Sequence, residues 1–171
     1  MNEGSAEQML RVLGGLRLRC IGRAADLLWM HFGEFREVPA RGGGTREVGE
    51  WALHIQTPWR FTRGPVITVG TRDFYYYADG GEDYDWDKGG VSRFDRLAST
   101  LNCDFEAVSY NVTSIVCDRV GGFSLWFGPE VSFDVFPNVA STSPGFELWR
   151  MFQPATEEAH YVVETDDPER L

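Results

Sequence analysis

Hydrophobic and polar positions alternate most cleanly between Glu50 and Thr62, read as EWALHIQTPWRFT. Trp51, Leu53, Ile55, Thr57, Trp59 and Phe61 fall on one side; Glu50, Ala52, His54, Gln56, Pro58, Arg60 and Thr62 fall on the other. A period of two predicts a strand with one buried and one wetter face, here a single long strand from Val48 to Thr62. Pro58 has no N–H to give to a ladder, so it marks an edge or a bulge.

Period and punctuation predict the other elements. A helix is expected from Ser5, with Gln8 as its capping-box partner and Ala6, Met9, Leu10 and Leu13 at helical spacing. Gly14-Gly15 ends it. Strands follow at Leu16 to Ile21 and Asp26 to Phe32; Leu27 to Phe32 is almost wholly apolar, which predicts a central strand. The run from Pro39 to Thr45 (PARGGGT) reads as a hairpin connection. Val66 to Val69 and Thr71 to Tyr77 read as strands. Asp79 to Gly90 (DGGEDYDWDKGG) is irregular.

A second helix begins at Ser92. Asp95 completes its capping box, and Phe94, Leu97, Ala98 and Leu101 follow at i, i+3, i+4 and i+7. The last third reads as an antiparallel meander: Phe105 to Tyr110, Thr113 to Asp118, Phe123 to Phe127, Val131 to Phe136, Phe146 to Phe152 and His160 to Glu164. The expected fold is therefore α+β, a single domain over 1–171 with 1–4 and 166–171 loose. It consists of a large, mostly antiparallel sheet or a barrel-like two-sheet core with two helices.

Composition sharpens this picture in three places. The formal net charge of −10 disfavours contact with phosphate backbones and is compatible with a basic protein partner. Lys88 is the only lysine among 16 basic residues, a bias expected of a GC-rich bacterial genome. Cys20, Cys103 and Cys117 are odd in number and widely spaced, so buried free thiols in a reducing cytoplasm are expected, with neither a zinc knuckle nor a redox pair. The polar N-terminus lacks the apolar run of a signal peptide, and no apolar stretch is long enough to span a membrane.

Two groups of residues carry candidate chemistry. The wetter face of the long strand gathers His54, Gln56 and Arg60, with Glu50 further along. A guanidinium there could hold a carboxylate or phosphate and an imidazole could move a proton; a solvated or self-paired sheet face explains the same pattern. The second group is the segment holding Asp83, Asp85, Trp86 and Asp87. The acid spacing begins like an EF-hand loop, but Lys88 stands where the turn glycine belongs and Phe94 where the bidentate glutamate belongs, so a solvated loop with no metal is expected, a looser Ca²⁺ site being the alternative. As a solvated acidic–aromatic surface it is the candidate contact for a partner. There is no nucleophile elbow, P-loop or dinucleotide fingerprint. His31, His54 and His160 lack zincin spacing. No catalytic residue and no cofactor are assigned.

ALHIQTPWRF, VGTRDFYY and DYDWDKGGVSRFD together resemble a group of uncharacterised bacterial proteins. FSLWFGPEVSFDVFP followed by FELWRMF is similar to the endings of small bacterial domains, some of them regarded as immunity proteins paired with toxins. The likeness spans most of Leu16 to Val163. It implies a sheet-rich bacterial module and brings no catalytic residue with it. The expectation is a non-enzymatic binding or immunity-like interaction module. The alternatives are a small-molecule binder or enzyme using His54, Gln56 and Arg60, and a homodimer paired through a strand edge.

Overall fold

The long alternating run does not stay in one sheet. The computed structural model describes residues 3–40, 42–79, 85, 88–140 and 145–165, and in it the run breaks at Gln56–Pro58. Thr45–Ile55 forms β3 of one sheet and Trp59–Arg63 forms β4 of another. The single strand expected over Val48 to Thr62 is thus two strands joined at a corner. Pro58, unable to donate to a ladder, sits in that corner, and its carbonyl accepts from Phe136 N–H at 2.9 Å.

Among the described residues ten strands make two open antiparallel sheets of five. The first sheet uses β1 (Leu18–Ala24), β2 (Leu27–Pro39), β3, β9 (Glu147–Phe152) and β10 (Tyr161–Glu164), in the order β1-β2-β3-β9-β10. The second uses β5 (Val66–Gly70), β4, β8 (Val131–Val135), β7 (Phe123–Trp126) and β6 (Ser114–Cys117), in the order β5-β4-β8-β7-β6. The α+β expectation holds, with two open sheets in place of a closed barrel. The expected meander holds only for β6 to β8, because β9 and β10 return to the first sheet. Apolar side chains from both sheets meet in one core, where Trp149 lies edge-on to Phe123 with ring centroids 5.2 Å apart.

Among the described residues two α-helices complete the core. Helix α1 (Glu3–Leu10) continues as a 3-10 turn through Leu13 and packs against β6. It begins two residues ahead of Ser5, so Ser5 lies inside it and is not its N-cap. Helix α2 (Arg93–Ala107) has the expected capping box: Asp95 N–H donates to Ser92 Oγ, and Ser92 N–H donates to Asp95 Oδ2, both at 3.0 Å. Its buried face is Phe94, Ala98, Leu101 and Phe105. Phe105 extends the helical period by one more step, and for that reason the strand expected from Phe105 is instead the last turn of α2.

Helix α2 lies along the outer edge of β1. Asn102 donates to the carbonyl of Ile21 at 3.0 Å and accepts from its N–H at 2.9 Å, taking the place of a neighbouring strand. The strand expected at Thr71 to Tyr77 is also absent. Thr71–Tyr75 is a 3-10 helix, started by Asp73 accepting from Gly70 N–H at 2.9 Å. The thiols are less buried than expected: Cys103 is exposed, Cys20 and Cys117 half-buried.

β2 bulges where Gly33 and Glu34 together oppose Glu50 of β3, and Gly33 takes φ 77° there. Beside this bulge the backbones close in. A Cβ on Gly49 would lie 2.7 Å from Phe32 O and 2.8 Å from Phe32 N, both rigid backbone atoms. Gly49→Ala is therefore expected to destabilise the fold by about 2 kcal/mol or more. Gly42→Ala, at a site with nothing within 4 Å, is expected to change stability by less than about 0.5 kcal/mol. Urea unfolding of the two variants checks the contrast, and equal midpoints would show that the β2–β3 approach is looser than described.

Candidate functional site

The corner at Gln56–Pro58 divides the polar strand face. His54 stands on the outer face of the first sheet. Arg60 stands on that of the second, where its Nε donates to Asp134 at 3.0 Å and its guanidinium lies 5.5 Å from the Phe136 ring centroid. Around it Ser124 bonds Asp134 at 2.7 Å and Thr62 pairs with Ser132 at 2.8 Å. The guanidinium that meets His54 is a different one, Arg150, its partner directly across from β9.

Register explains this meeting. One row crosses all five strands of the first sheet: Gly22, Trp29, His54, Arg150 and Val162 are successive cross-strand partners. The next row runs Cys20, His31, Ala52 and Phe152. Because side chains alternate between faces, both rows point outward. His54 sits edge-on to Phe152 with centroids 4.9 Å apart, and His160 stacks on the other ring at 4.0 Å. Trp29 and His31 are 5.2 Å apart, and His31 Nδ1 accepts from Gly49 N–H at 3.2 Å.

Glu147 fixes the guanidinium. Arg150 Nε donates to Glu147 Oε1 at 2.6 Å and Nη2 donates to Oε2, a bidentate pair one strand-turn apart. Gln56 also hydrogen-bonds the Glu147 side chain. Burial raises the Glu147 pKa, but the bonds from Arg150 and Gln56 outweigh it and hold the carboxyl below its ordinary range. His54 responds in the opposite sense. Burial first, then the charge of Arg150, then His31 and His160 push it down to about 4. His31 is lowered too, by burial and by Arg46. The imidazole of His54 is therefore neutral at pH 7, far from the proton affinity that general acid–base work near neutrality favours.

Of the expected strand-face site, His54 and Gln56 come together, around Glu147 and Arg150; Arg60 does not join them. Glu50 pairs with Arg36 at 3.8 Å. Sequence reasoning missed Glu147 and Arg150. Their i, i+3 spacing was visible, but the register that sets β9 against β3 was not. Among the described residues no group of three or more His, Cys, Asp or Glu is arranged to hold a metal ion.

The second candidate surface is only partly described. Asp85 is exposed and its carbonyl accepts from Lys88 N–H at 3.1 Å; Asp83, Trp86 and Asp87 lie outside the described residues. The segment's two ends are pinned together. Tyr77 and Ser92 form a bridge, Arg93 N–H donates to Tyr76 O at 2.7 Å, and Ala78 N–H donates to Val91 O at 3.1 Å. Phe74 anchors this stem inside the core, 4.7 Å from Phe94 and 5.6 Å from Trp59 by ring centroids. Tyr75 and Tyr76, next in the chain, are 46% and 44% exposed.

Searches of family models, curated proteins and solved structures find no match to this chain.

The histidine face makes stability depend on pH. A His pKa lowered from 6.5 to about 4 means that the unfolded chain binds a proton in this window and the folded chain does not. Stability from His54 is then full above about pH 6.5 and declines as pH falls towards 4. Wild type is expected to lose more stability between pH 7 and pH 4.5 than His54→Gln does, as read from urea midpoints at both pH values. Equal losses would show that His54 titrates as it does in the unfolded chain.

Proposed function

We propose that the protein is a non-enzymatic binding module, immunity-like in kind, whose partner is a basic protein. The observation that carries this reading is the exposure of Tyr75 and Tyr76 on a rigid stem beside an acidic run. Asp79, Glu82, Asp83, Asp85 and Asp87 are the charged residues from 79 to 87, with no base among them. A stem held by Phe74 presents the tyrosines at little entropic cost, and tyrosine is a side chain that protein interfaces favour. The neighbouring acids attract a basic partner and set its orientation. The strand-face groups support the same reading. Arg60 and Arg150 are each ion-paired and His54 is neutral, so their polar capacity is directed at one another.

The test is an amide NMR titration with a nona-arginine peptide. Saturable shifts are expected between Tyr75 and Val91, with Kd rising about tenfold between 50 and 250 mM NaCl. Tyr75→Ser/Tyr76→Ser is expected to weaken binding about fivefold. No saturable shift, or binding indifferent to salt, would sink the proposal.

One observation favours a second reading, a homodimer paired along β5. Val66 and Ile67 are 58% and 59% exposed on this terminal strand, an apolar edge that a second copy could cover. Light scattering at tens of micromolar should then give twice the chain mass; a clean monomer removes this reading.

A further inference from the structure

We infer that the groove between α2 and the first sheet is an anchor site for an arginine side chain of the basic partner. The inference rests on the partner reading above and names where that partner is gripped.

The groove has a volume of about 400 Å³ and runs along β1. One wall is the indole of Trp29. It is laid flat over Gly22, where a Cβ would fall 2.1 Å from Trp29 Cζ2, so only a glycine lets the ring lie down. The other wall is one stripe of α2: Asp95, Ser99, Asn102 and Glu106, at i, i+4, i+7 and i+11. Ala98 and Cys103 flank the stripe with small side chains, which keeps the walls apart.

The polar groups of this stripe are not equally free. Asn102 is spent on Ile21. Asp95 accepts from Arg23 Nε at 2.8 Å and Nη2 at 2.9 Å and also caps α2. Arg23 and Ser92 overcome the effect of burial and hold Asp95 down to about 2. Ser99 and Glu106 remain, both exposed. Arg17 turns its Nη2 to the carbonyls of Phe105 and Glu106. The groove is lined by two acids and no base, and Glu106 is the acid that Arg23 does not occupy.

An indole and a carboxylate lining one groove suit a guanidinium, which can stack on a ring and donate N–H groups to an acid. Lysine, a point charge with a larger hydration shell, fits less well. Lys88, which follows the acidic run in the chain, is tied to this groove: its carbonyl accepts from Nη2 of Arg23 at 2.9 Å, and Arg23 pairs with the lining residue Asp95.

The experiment is a titration with nona-arginine and, separately, nona-lysine, followed at the Trp29 indole N–H and the Ser99 and Glu106 amides. The indole signal is assigned with Trp29→Phe. Two variants on the exposed face of α2 test the contact without touching the core. Glu106→Gln should weaken nona-arginine binding about three- to fivefold. Ser99→Arg, which fills the groove with like charge, should weaken it about tenfold, with unchanged melting temperatures for both. The groove signals should move at the same peptide concentrations as the acidic segment, and nona-arginine should bind more tightly than nona-lysine. If the acidic segment shifts while the groove signals stay still and both variants bind like wild type, the groove assignment is wrong and the partner reading stands. If nothing shifts saturably, both fall.

Discussion

The inward run Leu53, Ile55, Thr57, Trp59 and Phe61 keeps its direction while the chain changes sheets, and the rest of the molecule depends on this. All five are buried, on both sides of the corner at Gln56–Pro58. Trp59 is the hub just past the turn, with its ring centroid 5.6 Å from Phe74, 5.8 Å from Phe94 and 5.8 Å from Phe133. The 3-10 helix, α2 and β8 thus pack against one side chain. The Trp59 backbone N–H donates to Thr71 Oγ1 at 2.7 Å, and Thr71 Oγ1 donates back to the Trp59 carbonyl at 3.1 Å. The two sheets share one core because this run gives inward side chains to both, through β3 on one side of the corner and β4 on the other.

The same corner decides what the outward residues can do. Inward positions meet in one core, whereas outward positions on the two sheets diverge. His54 is drawn into an aromatic and ion-paired face with Phe152, Arg150 and Glu147, and Arg60 into a separate network with Asp134. Within each face the polar groups satisfy one another, which limits the cost of partial burial and leaves little unspent chemistry. Tyr75, Tyr76, Ser99 and Glu106 are exposed outside these two faces.

Much of the architecture was legible in order and period. The β2–β3 hairpin, the strands β5 to β10 and the capping box of α2 each rest on neighbours in the chain, and those neighbours carry the signal. The failures were instructive. Residues 71–75 carry strand-forming aromatics, yet Asp73 captures Gly70 N–H and starts a 3-10 turn. Phe105 suits either period, and the buried stripe of α2 claims it. The Glu50–Thr62 pattern predicts one inward face, which the structure has, and one strand, where the structure has two, because alternation records which way side chains point and is silent on which sheet receives them.

The sequence by itself determined the inward set, the helix that begins at Ser92, and an acidic run beside tyrosines, since all of these depend on spacing along the chain. Only the tertiary structure decided that His54 meets Arg150 and not Arg60, and that Trp29 lies on Gly22 in a groove also lined by Glu106. The physical reason is register. Pairing between strands far apart in sequence is set by how both sheets fill one core and by where β2 bulges, and a shift of one residue would have sent each of these side chains to the opposite face.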